Sequence, residues 1–133
     1  VIDPKSLLYT PSHEWVQLDG DVATVGISRF AVDQLTDLIL IDLSRATAGS
    51  RVEAGRAFGE VESVKAVADL YSPVDGTILE VNPAVIQDVQ LLGTDPYTQG
   101  WLLKVKVDDP SKVQSELLDA AAYEAKLGES EHH

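Results

Sequence analysis

A chain of 133 residues with ten basic and 22 acidic side chains, for a formal net charge of −12, suits one compact domain. That balance argues against binding to nucleic acid or an anionic membrane, both of which need a basic patch to release counterions. The absence of cysteine excludes disulfides, thiolate chemistry and cysteine-ligated metals.

Strand signals dominate from the start. Glu14 to Leu18, the pair Asp19-Gly20, and Asp21 to Ile27 read as a hairpin, with Asp-Gly supplying the positive φ of a tight turn. Ser28 to Gln34 reads as a short helix with Ser28 as N-cap. Leu38 to Leu43 is a nearly continuous apolar run, which predicts a strand buried on both faces. Residues 44–57 are rich in small residues and read as a loop. After the segment 58–73, the turn Pro73-Val74-Asp75-Gly76 leads into a strand over Thr77 to Val81, which Asn82-Pro83 ends. Gly93, Pro96 and Gly100 mark another connection. Trp101 to Val107 alternates, with Trp101, Leu103, Val105 and Val107 on one face and Lys104 and Lys106 on the other. Trp15 and Trp101 are expected as core anchors.

Beyond Asp108-Asp109-Pro110 the pattern turns helical. Ser111 to Leu118 and Asp119 to Leu127 read as helices, with Asp109 or Ser111 and then Asp119 as caps and Gly128 as the stop. Residues 128–133 read as a flexible end. Short strands, glycine-bearing turns and a helical tail describe an antiparallel barrel or sandwich. No apolar run spans a bilayer and no leader segment opens the chain, so a cytosolic or organelle-lumen protein is expected.

The segment Phe58 to Pro73 is undecided by propensity. Val61, Val64 and Ala68 sit at helical spacing, and no Asn-Gly or Asp-Gly marks a turn near Lys65. Its valines favour a strand. Helix and hairpin both stay open on this evidence.

Four ordered motifs carry a resemblance. Glu62-Ser63-Val64-Lys65-Ala66, followed by Asp69-Leu70-Tyr71-Ser72-Pro73 and Gly76, resembles the lipoylation segment of glycine cleavage H proteins. Tyr9-Thr10-Pro11-Ser12-His13-Glu14-Trp15 resembles the opening motif of that family. Val25-Gly26-Ile27 with Ala31 and Leu35, and Asp95-Pro96-Tyr97 with Gly100-Trp101-Leu102, resemble two further blocks. The likeness covers roughly residues 7 to 127.

The resemblance implies a mainly β fold, a flattened antiparallel barrel-sandwich hybrid of the lipoyl/biotinyl carrier type, forming a single domain over 1–133. Phe58 to Val64 and Ala66 to Tyr71 would be two hairpin arms with Lys65 at the exposed apex, where lipoate is attached as an amide. It implies a non-catalytic shuttle. The carrier takes the aminomethyl group of glycine from a pyridoxal-phosphate decarboxylase to a tetrahydrofolate-dependent aminomethyltransferase. It then takes the dihydrolipoyl arm to a dihydrolipoyl dehydrogenase, a lipoate ligase or lipoyltransferase having loaded it first. Ser12, Glu14 and Asp69 map to the polar groups of the cleft that receives the loaded arm. A monomer is expected, in the cytoplasm of a bacterium or in the mitochondrial matrix of a eukaryote.

Competing readings fit less well. Lipoyl domains of 2-oxoacid dehydrogenases typically carry Asp-Lys-Ala and biotin domains Met-Lys-Met, whereas this chain has Val64-Lys65-Ala66. His13 has no paired histidine or cysteine and reads as structural. The chain contains no zinc-spaced ligands, phosphate loop or nucleophile elbow. Two positions depart from the family pattern: Thr36 stands where glycine usually precedes the acidic residue, here Asp37, and Ser44 stands where proline commonly follows Leu43. Both put local turn geometry in doubt.

Overall fold

The computed structural model describes residues 2–131. In chain order it contains a 3-10 turn at Pro4–Ser6, β1 (Leu8–Tyr9), β2 (Glu14–Asp19), β3 (Val22–Ile27), α1 (Arg29–Leu35), β4 (Leu38–Asp42), β5 (Arg51–Val52), β6 (Ala57–Ser63), β7 (Val67–Tyr71), β8 (Gly76–Val81), α2 (Pro83–Gln87), α3 (Gln90–Thr94), β9 (Leu103–Val107), α4 (Pro110–Glu116), β10 (Leu118–Asp119) and α5 (Ala120–Glu131). The strands form two antiparallel sheets. One has the order β10-β1-β2-β3-β9-β8-β5 and the other β4-β6-β7. The architecture is mainly β, as expected from the sequence.

One core joins the two sheets. Val25, Leu103 and Val105 of the larger sheet pack in the same cluster as Val61 and Leu70 of the smaller one. The alternation in β9 is realised: Leu103, Val105 and Val107 are buried, while Lys104 and Lys106 reach Glu80 and Asp21 on the outer face at 3.9 and 3.6 Å. Every salt bridge found among the described residues joins largely exposed side chains, such as Arg51–Asp108. Such pairs contribute about 1 kcal/mol or less each, so apolar burial dominates stability. A second cluster of Leu7, Tyr9, Trp15 and Tyr123 fastens α5 and the N-terminal strand to the larger sheet. Trp15 is fully buried and donates Nε1–H to Pro96 O at 3.2 Å. Gly26 lies against its indole, where a Cβ would meet ring carbons at 2.5 Å.

Several local expectations are met by physical devices. Ser28 caps α1, its Oγ accepting from Ala31 N–H at 3.2 Å. Asp109 caps α4 with bonds from the N–H groups of Ser111 and Lys112, and Asp119 accepts from Ala122 N–H at 2.8 Å.

Other expectations are corrected. The hairpin loop is Gly20-Asp21, one residue later than Asp19-Gly20, because Asp19 still pairs with Val22; Gly20 supplies the positive φ of 62°. β4 is not buried on both faces. It is an edge strand paired only with β6, and a register irregularity between Leu38 and Leu40 leaves Ile39 and Leu40 about half exposed, at 49% and 45%. Trp101 is only partly buried: it packs against the edge of the second cluster, with Lys104 Nζ 4.9 Å from its ring centroid. The first tail helix ends at Glu116, and Leu118–Asp119 pairs with β1 instead. Gly128 does not end α5, which runs to Glu131; glycine in a helix costs about 1 kcal/mol without preventing it. Of the end expected over 128–133, residues 132–133 lie outside the described residues. No helix among the described residues is long and apolar enough to cross a membrane.

Candidate functional site

The undecided segment is a hairpin. Glu62 pairs with Val67, Val61 with Ala68, Glu60 with Asp69 and Gly59 with Leu70, leaving Lys65 exposed in the connecting turn. Helical spacing had grouped Val61, Val64 and Ala68, but only the first and last turn inward. Val61 is fully buried and Val64 is 73% exposed. Pairing decides the outcome, because β6 is hydrogen-bonded on both sides, to β4 and to β7. The apex is anchored beyond its own strands, since Val64 N–H donates to Asp37 O at 3.1 Å.

Beside this hairpin runs a cleft of about 290 Å³, bounded by α1 and by β6 and β7. Phe30, Leu35, Val61 and Ala68 give it an apolar wall, and Ser12, Glu14 and Asp69 all line it. The structure therefore brings together the three cleft residues expected from the sequence, and sets Lys65 at the tip of the hairpin that forms one wall.

Glu14 is the unusual member. It is 1% exposed, yet it is a carboxylate. Oε1 accepts from Thr10 Oγ1 at 2.8 Å and from Ser12 Oγ at 2.5 Å. Oε2 receives only the Tyr71 N–H at 3.5 Å among the described residues, so it keeps acceptor capacity. Burial raises the Glu14 pKa above its ordinary value, and the hydrogen bonds from Ser12, Thr10 and Tyr71 oppose that rise without cancelling it. A carboxylate held this way gains from a cationic partner in the cleft, through a charge-assisted hydrogen bond. Asp69 is exposed on β7, with Tyr71 Oη 3.5 Å from its Oδ2.

Of the residues that hold Glu14 in place, sequence reasoning had Ser12 but missed Thr10 and Tyr71. Thr10 is the nearer of those two in sequence, and its position two residues before Ser12 in the opening motif was the available signal. It also missed a chain of contacts behind the cleft. His13 has a positive φ of 78°, and its N–H and C=O bond Thr10 O and Ser28 N–H at 3.0 and 2.9 Å. Its Nδ1 lies 2.8 Å from Tyr123 Oη, which lies 2.7 Å from Ser28 Oγ. Helix α5 is thereby tied to the cleft wall and to the cap of α1. His13 also lines the cleft, and its described bonds tie the cleft wall to α5 and to the start of α1. Burial lowers its pKa, which favours the neutral ring.

Comparison with known proteins agrees with this geometry. A sequence model described as glycine cleavage H-protein matches residues 7–130. A glycine cleavage system H protein of Gloeothece citriformis is 48% identical over 124 residues, 93% of each chain. One of Thermosynechococcus vestitus is 49% identical over 122 residues, 92% of each chain. The crystal structure of a glycine cleavage system H protein from Mycobacterium marinum superposes with a TM-score of 0.84 at 39% identity, covering 95% of this chain and 99% of that one. With the family model matching residues 7–130 and these relatives aligned over more than nine-tenths of each chain, the chain belongs to the glycine cleavage H-protein family.

Proposed function

We propose that this chain is the lipoyl-carrying shuttle of the glycine cleavage system, with lipoate attached to Lys65 as N6-lipoyllysine. It is a carrier and not an enzyme. It passes the aminomethyl group of glycine from the decarboxylase to the aminomethyltransferase and presents the reduced arm to the dihydrolipoyl dehydrogenase, after loading by a lipoate ligase or lipoyltransferase. It works as one carrier domain over 1–133, as a monomer, in the bacterial cytoplasm; the relatives described above are bacterial.

One observation carries the reading: an exposed lysine at a hairpin apex beside a cleft with an apolar wall and a buried carboxylate. The residues present fit the group. A stable amide needs a primary amine, which only lysine offers on a long stem, and an apex gives large enzymes access from outside. When bound, the lipoyl group supplies a dithiolane that takes up the one-carbon amine unit and two electrons. The chain's own contribution is placement and shelter. The two strands fix where the arm begins, and tethering raises its local concentration at each docked enzyme. The apolar wall excludes water from whatever enters. Glu14, assisted by Ser12 and Asp69, holds a cationic amine at the polar positions of the cleft.

The experiment is intact mass and peptide mapping of protein made with lipoate available. A lipoyl-sized increment confined to the Lys65 peptide, and lost in Lys65→Arg, is expected. An increment elsewhere, or none, overturns the assignment. For the cleft, protein loaded with the aminomethyl unit should lose it faster after Glu14→Ala, and an unchanged lifetime would remove Glu14 from the role.

A further inference from the structure

We infer that Ser63 is a positioning residue for Lys65: its hydroxyl closes the turn that holds the lysine at the apex. The inference rests on reading Lys65 as the acylated residue. Tight hairpin loops usually rely on glycine, asparagine or aspartate at positive φ. Residues 63–66 are Ser-Val-Lys-Ala, and neither Val64 nor Lys65 has a positive φ. The turn must be held by other means.

The hydrogen bonds show which. Ser63 N–H donates to Ala66 O at 2.8 Å, half of an antiparallel closing pair. The return bond, from Ala66 N–H, goes to Ser63 Oγ at 3.2 Å, where the Ser63 carbonyl would ordinarily be the acceptor. The same hydroxyl lies 3.2 Å from Ala66 O, to which it donates. One side chain thus accepts from and donates to the residue across the turn. Ser63 is 3% exposed, while Val64, Lys65 and Ala66 are all exposed. The fixed point is buried and the presented residues are in water. With Val64 N–H held by Asp37 O, the apex is secured from the hairpin and from the segment leading into β4.

Such closure matters because an acylating enzyme must accept the lysine in one geometry. Ordering a loose loop on binding weakens the complex, and a preformed loop avoids that cost. Losing the hydroxyl should therefore weaken recognition of the acceptor while leaving the amine itself as accessible as before. Ordinary structural damage would instead lower stability without a selective effect on recognition.

The test compares full-length apo-protein with Ser63→Ala and Ser63→Thr. Three readouts are taken: hydrogen exchange of the Ala66 amide, kcat and KM as acceptor for a lipoate-protein ligase supplied with lipoate and ATP, and the acetylation rate at Lys65 by a small activated ester. For Ser63→Ala, Ala66 exchange should accelerate, KM should rise about fivefold with kcat retained, and acetylation should be unchanged. Ser63→Thr, which keeps a hydroxyl, should restore exchange and KM. Unchanged exchange in Ser63→Ala overturns the closure. Accelerated exchange with an unaltered KM, a fall in acetylation, or a threonine variant no better than alanine overturns the positioning role. If the unmutated protein takes no lipoate on Lys65, the carrier reading itself fails, and the exchange result still reports on the turn.

Discussion

Thr36 ends α1 with φ 52° and ψ −179°, a backbone region that belongs almost exclusively to glycine. For a β-branched residue the strain is of order 1–3 kcal/mol. Glycine would remove it, but would release about 0.5–1 kcal/mol of additional chain entropy on unfolding. The Thr36 side chain is exposed and makes no hydrogen bond or ion pair among the described residues, so nothing else is lost. The N–H of residue 36 donates to Val32 O at 3.2 Å, and that bond survives the change. The net for Thr36→Gly is a gain of about 1 kcal/mol, or a rise in Tm of about 4 °C for a chain of this size. Thermal unfolding of Thr36→Gly and Thr36→Ala beside the unmutated protein checks it. Alanine keeps a Cβ at positive φ and should recover only a small part of the gain. If glycine lowers Tm, or if alanine matches glycine, the strain at φ 52° is not what the side chain costs.

Two further outcomes follow from the cleft and the contacts behind it. Burial raises the Glu14 pKa, so between its ordinary 4.5 and the raised value the native state binds more protons than the unfolded chain. Stability from this group therefore falls as pH rises through that window and is level above it. Glu14→Gln lacks the titration, and urea unfolding across pH 4 to 8 should show its relative stability improving upward from about pH 4.5; a difference independent of pH would refute the assignment. Tyr123→Phe keeps the stacking on Tyr9, with ring centroids 4.3 Å apart, but removes the bonds to Ser28 and His13. The loss should be about 1–2 kcal/mol. Because burial pushes the Tyr123 pKa up to about 12, the phenol stays protonated near neutrality and the loss should hold from pH 7 to 9. A variant as stable as the unmutated protein would show that the pair of bonds contributes nothing.

Much was legible locally. The alternation of Leu103, Val105 and Val107 fixes the inner face of β9, because strand geometry sends alternate side chains to opposite sides. Ser28, Asp109 and Asp119 announce helix starts, since their oxygens accept N–H groups only two or three residues away. The lysine segment is readable only through its resemblance, as one of four ordered motifs. The alternation and the caps share one property: each is set within a few residues of chain.

What the tertiary structure decided has distant partners. Residues 57–71 form a hairpin with β4 paired along β6, without the Asn-Gly or Asp-Gly that would have announced a turn near Lys65. Ile39 and Leu40 are exposed because β4 is an edge, which apolar content cannot disclose. Glu14 Oε2 accepts from the N–H of Tyr71, 57 residues away, and His13 is met by Tyr123, 110 residues away. Periodicity and propensity measure each residue's local preference. Burial, edge position and the meeting of Ser12, Glu14 and Asp69 depend on sheets closing over a shared core, and that closure is a property of the folded chain as a whole.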